Sequence, residues 1–113
     1  MMNFNYCIKK NICIFSIEGR FIEDEASEFE SCVDELLDNP ECQAFLINLK
    51  DTRYVTSLGV GMLIIFFKKA HAKSTPFGLC HVNDEIYNSF KSSNLQKILP
   101  IYKTEDDGLM NLG

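Results

Sequence analysis

The sequence predicts an α/β fold: one domain over residues 1–113, with helices covering a mixed β-sheet of about five strands. Two observations predict it. Apolar residues alternate with polar ones at the start of the chain, and later segments repeat apolar residues every three or four positions. The length is that of one ordinary domain, and 46% hydrophobic residues can form one core. The predicted order of elements is β-β-α-β-α-β-α-β-α.

A β-hairpin is predicted first. Phe4, Tyr6 and Ile8 occupy alternate positions, and a second alternating run follows a polar turn at 9–11 and closes at Gly19. Two runs of period two separated by a short polar turn are typical of a hairpin.

The segment from Phe21 to Asp38 has the period of an amphipathic helix, which Asn39-Pro40 ends. Its acidic stretch from Glu23 to Glu41 contains no Lys or Arg. Two interpretations stay open for this stretch: an ordinary solvated face, and a contact surface for a basic partner.

A buried strand is predicted from Ala44 to Leu49, where the run is apolar except for Asn48. A helix is predicted from Leu58 to Lys73, with Ser57 as its N-cap. Within that helix, Met62 and Phe66 are expected either to pack in the core or to line a binding groove.

The remaining elements are shorter. A strand is predicted from Phe77 to Val82, followed by a helix that Asn83 or Asp84 caps. A last short strand lies at Ile101-Tyr102, and a terminal helix capped by Thr104 ends the order. Strands joined by helices are expected to be parallel.

Charge and composition exclude several function classes. A net charge of −5 argues against nucleic acid as a partner, because phosphate binding needs a clustered basic face. The longest apolar run, Val60 to Phe67, is far shorter than the roughly 20 residues that span a bilayer. The first ten residues lack the apolar segment of a signal peptide, so we expect a cytoplasmic protein without membrane insertion.

The five cysteines are odd in number and scattered, without a C-x-x-C pair. We interpret them as small, mostly buried hydrophobic residues in a reducing compartment. The sequence contains no metal-ligand cluster, phosphate loop or nucleophile-base motif, so we expect neither an enzyme nor a cofactor.

One segment points to function: Thr56 to Met62, which follows a strand and opens a helix. Gly59 and Gly61 each cost the helix about 1 kcal/mol relative to Ala, so something must offset them, such as a surface that approaches closely. A Ser57 hydroxyl beside the free N–H groups of a helix start could carry a phosphate. A plain N-cap is the other interpretation of Ser57.

The chain resembles the STAS domain of stand-alone bacterial anti-sigma factor antagonists over nearly its whole length. The family signature, Asp-Ser-Ser/Thr/Ala-Gly-Leu-Gly before a long helix, corresponds to residues 56–61. Other positions also match the family pattern: Gly19, Ala26, Asn48, His81-Val82-Asn83, and Leu95 with Ile98 before Ile101-Tyr102.

The resemblance implies a switch between partners. The unmodified protein would bind an ATPase-fold partner that is both anti-sigma factor and serine kinase. Phosphorylation at Ser57 would release it, and a serine phosphatase would reset it. We expect a monomer or weak homodimer. The expected partner-binding residues are Thr56, Ser57, Leu58, Gly59, Val60, Gly61, Met62, Ile22, Glu23 and Asp24.

The chain departs from the family pattern at three positions. Thr56 replaces an acid, Ile22 replaces a frequent Asp, and Leu58 replaces a second hydroxyl. An alternative is therefore a STAS-like, non-enzymatic subunit of a larger assembly, a lipid-transport ATPase or a signalling complex, without phosphoswitching.

Overall fold

The computed structural model describes residues 2–21, 26–92, 94 and 97–112. In this part of the chain, six strands form one sheet and four helices pack on it, which confirms the predicted α/β class. The elements are β1 Met2–Lys9, β2 Ile12–Phe21, α1 Ala26–Leu37, β3 Ala44–Asn48, β4 Thr52–Val55, α2 Ser57–Ala72, β5 Phe77–Cys80, α3 Asp84–Ser92, β6 Ile101–Tyr102 and α4 Glu105–Leu112.

The sheet has the order β1-β2-β3-β5-β6, and β4 pairs with β2 beyond the end of β3. β1 and β2 are antiparallel, and every other strand pair is parallel, as predicted. The hairpin turn contains two residues, Lys10 at φ 55° and Asn11 at φ 64°. Two consecutive positive φ angles define a type I′ turn, whose twist matches that of the flanking strands.

β4 is one strand more than the sequence predicted. Thr52 pairs with Gly19, which adopts φ 77° at a shift of register in β2. The Thr52 hydroxyl is buried and donates to the Ile17 carbonyl at 2.6 Å. This long-range bond holds a polar segment against β2. The strand was not predicted because its sequence lacks an apolar pattern.

The main core lies on one face of the sheet, under α1, α2 and α3. Phe66 of α2 is its centre, with edge-to-face ring contacts to Phe45 at 5.1 Å and Phe77 at 4.9 Å. It also contacts the rings of Phe15 and Phe29. Such pairs add about 0.5–1.5 kcal/mol each beyond their buried area.

Among the described helices, α4 is the one that packs on the opposite face. A Cβ atom on Gly108 would lie 2.7 Å from Cδ1 of Leu46, so this glycine allows the helix to approach β3 closely. At the start of α4, the Thr104 hydroxyl accepts the Asp107 N–H at 3.1 Å, which confirms the predicted cap.

Three predicted boundaries change by more than one residue. β2 ends at Phe21 and not at Gly19, and α1 begins at Ala26 and not at Phe21. β5 ends at Cys80 and not at Val82, since His81 adopts φ 55° and leaves the extended conformation. Of the two predicted caps for α3, Asn83 is the one used: its Oδ1 accepts the Ile86 N–H at 2.8 Å.

Candidate partner-binding site

Thr56 caps α2, so the prediction of Ser57 as N-cap is wrong. Thr56 has extended backbone angles, φ −78° and ψ 167°, and its Oγ1 accepts the Gly59 N–H at 3.0 Å. The extended conformation of β4 continues through Thr56, and Ser57 is already the first helical residue. A cap needs a non-helical backbone, which only Thr56 provides.

Ser57 is exposed at the start of this 16-residue helix. Within the described ranges, its side chain makes no hydrogen bond. The helix start carries a partial positive charge from its aligned peptide groups. The Ser57 hydroxyl is therefore accessible, unused by the fold and in a setting that favours a negative group.

Gly61 has open space around it. A Cβ atom added there would meet nothing within 4 Å. Gly59, in contrast, is buried where its N–H reaches the cap. The described fold thus gives no steric reason for glycine at position 61, which leaves its helix cost to be offset by something outside the fold.

The exposed face of α2 continues from Ser57 along the helix. Gly61 and Ile65 follow at intervals of four residues, which places all three on one side, and Ile65 is 49% exposed. Met62 is half-buried beside a groove between α1 and α2, whereas Phe66 is 1% exposed and belongs to the core. Of the two residues expected to pack or to line a groove, Met62 is thus the accessible one.

The acidic face of α1 is partly neutralised by α2. Lys69 Nζ lies 2.8 Å from Asp34 Oδ1 and 3.1 Å from Glu30 Oε1, and Lys73 pairs with Asp38. The hydrogen bond to Asp34, followed by that to Glu30, raises the pKa of Lys69. These ion pairs connect the two helices and reduce the negative field that a basic partner would meet.

Several predicted site residues cannot be placed. Ile22, Glu23 and Asp24 lie outside the described residues, and the side chain of Leu58 does as well. Leu95, a position that matches the family pattern, also lies outside them. Val60 is 6% exposed and packs in the main core. The accessible part of the predicted site therefore consists of Ser57, Gly61 and Met62, with Thr56 half-buried beside them.

A second polar cluster joins α4 to the carboxyl ends of β3 and β5. Asn48 Nδ2 donates to Glu105 Oε1 at 3.0 Å, and its Oδ1 accepts the Lys50 N–H at 2.8 Å. His81 Nε2 accepts the Glu105 N–H at 3.2 Å. Asn48 and His81 thus have a structural role here, which the sequence could not show because their partner lies far along the chain.

The cysteines are mostly buried, as predicted. All five are free thiols; Cys13, Cys42 and Cys80 are buried, and Cys7 is exposed. Burial raises the pKa of Cys80 to about 12. Among the described residues, no group of three or more His, Cys, Asp or Glu side chains could hold a metal ion. The described helices are also too short or too polar to span a membrane.

Comparisons with known proteins agree with this architecture. The family model of the STAS domain matches residues 3–108. A curated relative, the anti-sigma F factor antagonist of Paenibacillus polymyxa, is 24% identical over 103 residues, covering 91% of this chain and 88% of that protein.

Two solved structures share the fold. An anti-sigma factor antagonist from Mycobacterium paratuberculosis has a TM-score of 0.87 at 22% identity, over 99% of this chain and 94% of the other. The Bacillus cell fate determinant SpoIIAA in its phosphorylated form has a TM-score of 0.76 at 12% identity, over 98% of this chain and 100% of the other.

Proposed function

Because this chain belongs to the STAS domain family, we propose that it is an anti-sigma factor antagonist, a non-enzymatic protein that binds an anti-sigma factor. The curated relative with that name aligns over 91% of the chain. The observation that carries the proposal is the Ser57 hydroxyl, which is exposed at the helix start and bonded to no described residue.

In this proposal, the partner is an anti-sigma factor of ATPase fold that is also a serine kinase. The unmodified chain binds it, phosphorylation of Ser57 ends the complex, and a serine phosphatase removes the phosphate. The contact surface is the segment 56–62 together with Ile22, Glu23 and Asp24. The setting is the cytoplasm, where free thiols such as these five stay reduced.

The transfer step needs only a hydroxyl from this chain. Ser57 Oγ attacks the γ-phosphorus of ATP, the new O–P bond forms as the bond to ADP breaks, and the hydroxyl proton passes to a base of the kinase. The kinase supplies metal, nucleotide and base. The chain contributes an accessible acceptor at a positively polarised helix start.

The phosphate would act at the interface and leave the fold intact. It adds a charge of about −1.5 to −2, which a helix start stabilises by about 0.3–1 kcal/mol. In the complex, the same charge would lie against a partner surface that also covers Gly61, Met62 and Ile65. Burying it there without a counter-charge is unfavourable, and the complex would dissociate.

Thr56 is compatible with this proposal although the family usually has an acid there. Asp and Thr are both effective N-caps, and Thr56 accepts the same kind of N–H bond that an Asp would accept. The substitution thus preserves the start of α2 and removes only one negative charge from the surface that the kinase would contact.

The proposal is tested by incubation with ATP and an ATPase-fold serine kinase from the same genome. We expect one phosphate per chain in the wild type and none in Ser57→Ala. Thr56→Asn is the matched control, because Asn keeps the cap and removes the neighbouring hydroxyl. It should still accept one phosphate per chain, although its rate can differ because Thr56 belongs to the proposed contact surface. Equal phosphorylation of Ser57→Ala would show that another residue is the acceptor.

Binding to the same kinase tests the surface. Gly61→Leu fills open space on the exposed face of α2, so we expect a folded protein whose Kd for the kinase rises at least tenfold. Asn88→Leu, an exposed position on α3, is the control and should bind like the wild type. Binding without phosphorylation of any residue would favour the alternative of a subunit without a phosphoswitch.

A further inference from the structure

β1 forms an open edge of the sheet. It pairs with β2 on one side, and within the described ranges no other strand or loop forms a backbone hydrogen bond with it. The strand is eight residues long. Such an edge exposes a row of unpaired N–H and C=O groups that can pair with another strand.

The direction of these free groups follows from the hairpin turn. Lys9 and Ile12 flank a two-residue turn, so they exchange both hydrogen bonds, and bonded pairs then alternate along the ladder. Odd-numbered residues of β1 are thus bonded to β2. The outward groups belong to the even-numbered residues: Met2, Phe4, Tyr6 and Ile8.

The edge lacks the usual protection against pairing. Natural edge strands are guarded by charges, prolines or bulges. Residues 2–8 contain neither charge nor proline, and their pairing with β2 has no register shift. The one charge of the strand, Lys9, is its last residue, and its Nζ lies 3.6 Å from Glu105 Oε2.

We propose that β1 pairs antiparallel with β1 of a second copy of this chain, about a two-fold axis at Asn5. In this register Phe4 lies opposite Tyr6 and Met2 opposite Ile8, so all the outward backbone groups find partners. The two six-stranded sheets become one continuous sheet.

The side chains favour a second copy as the occupant. Opposed residues point to the same face, so the ring of Phe4 meets that of Tyr6, which is 49% exposed in the single chain. On the other face, the axis brings the Asn5 side chains of the two copies together, and two Asn amides can donate to each other. The strand is thus complementary to itself.

The charged residue of the strand itself, Lys9, does not oppose the pairing. Each Lys9 lies four residues from the axis, so at about 3.4 Å per residue the two ammonium groups are about 27 Å apart along the strands. This distance is well beyond the Debye length of about 8–10 Å at physiological ionic strength.

Sedimentation of the full chain over a range of concentrations tests the pairing. We expect a concentration-dependent dimer. Asn5→Lys places two ammonium groups opposite each other at the axis and should raise the dissociation midpoint at least tenfold. Asn5 is exposed, so the fold should not change. Asn88→Lys adds the same charge to an exposed position on α3 and should leave the midpoint unchanged.

A wild type that stays monomeric at millimolar concentration would overturn the proposal. Equal effects of Asn5→Lys and Asn88→Lys would also overturn it. Kinase binding is not part of this test, so its outcome is independent of the proposed antagonist function.

Disulfide crosslinking tests the position of the axis. In the double variant Asn5→Cys with Cys7→Ser, the two opposed Cα atoms at position 5 should be about 4.5–5.5 Å apart, within disulfide range. Oxidised glutathione takes up the two electrons and two protons, and we expect a covalent dimer. In the wild type, the two Cys7 Cα atoms should be about 14 Å apart and should not crosslink. A crosslink through Cys7 in the wild type, with none in the double variant, would overturn the proposed register.

Discussion

Gly61 and Gly108 both lie inside helices, where glycine costs about 1 kcal/mol relative to Ala. Their surroundings are opposite. An added Cβ would meet open space at position 61, but at position 108 it would lie 2.7 Å from Leu46, which is fully buried. Gly108 is therefore required by the packing of α4, and Gly61 is not required by the described fold.

Replacement by alanine should change stability in opposite directions. Gly61→Ala should raise the free energy of unfolding by about 0.5–1 kcal/mol, because it removes backbone entropy from the unfolded chain at no steric cost. Gly108→Ala should lower it by about 1–3 kcal/mol, since Leu46 cannot move without repacking. Urea denaturation measures both, and a loss of stability in Gly61→Ala would contradict the open space around it.

The sequence showed that Gly59 and Gly61 near the start of α2 needed an explanation, because the cost of glycine in a helix is a local property. It could not show that Gly108 is the helix glycine that packing requires. That depends on Leu46, which lies 62 positions before Gly108 along the chain and meets it only in the folded sheet.

Among the elements, α2 begins one residue earlier than the sequence predicted. The N-cap is therefore the hydroxyl of Thr56, and the hydroxyl of Ser57 is free of that role. Thr56 and Ser57 are both good caps by residue type. The backbone decides between them, because β4 extends to Val55 and leaves Thr56 in the extended conformation. A sequence pattern does not resolve a helix boundary to one residue.

The two hydroxyls should therefore differ in their effect on stability. Thr56→Ala removes the cap and should lower the free energy of unfolding by about 0.5–2 kcal/mol. Ser57→Ala removes an exposed group that no described residue bonds, and should change it by less than about 0.5 kcal/mol. Thermal or urea unfolding distinguishes them, and the proposed assignment of the cap fails if Ser57→Ala is the more damaging change.

The predicted hairpin, α1, β3, β5 and β6 are present because their patterns are local. The patterns are alternation in a half-covered strand, a continuous apolar run in a buried strand, and a period near 3.6 in an amphipathic helix. β4 was missed for the opposite reason. It buries only two residues, Thr52 and Val55, and Thr52 is polar and is satisfied by the carbonyl of Ile17, 35 positions earlier. No window of sequence contains both halves of that bond.

In the whole molecule, the exposure of each cysteine shows which parts of the sheet the helices cover. Cys13 points to the main core and Cys80 to α4, and neither is measurably exposed. Cys7 lies exposed on β1. Burial raises the pKa of Cys13 and of Cys80, so the reactive thiolate is scarce at both positions.

A pulse of thiol reagent at pH 8 should consequently modify Cys7 quickly, and Cys13 and Cys80 only through unfolding. Mass spectrometry of the digested protein gives the rate for each residue. Adding urea below the unfolding midpoint should accelerate Cys13 and Cys80 together and leave Cys7 nearly unchanged. Labelling of Cys80 as fast as Cys7 would mean that α4 does not cover it.

The architecture could be predicted as a whole because strands and helices alternate along the chain, which favours parallel pairing with helical crossovers. The distribution of charge could not. Two interpretations were open for the acidic stretch from Glu23 to Glu41. Lys69 of α2 and Lys73, which caps the end of α2, bind three of its carboxylates, at Glu30, Asp34 and Asp38.

The attachment of β4 to a single strand also determines how the site can move. Among the described strands, β4, with four residues, pairs with β2 alone, whereas β3 is held between β2 and β5. Segments with few partners open at lower free energy than the core around them. We therefore expect β4 to exchange its amide protons faster than the central strands, and such an opening would free the backbone that leads into Thr56 and Ser57 without melting the domain.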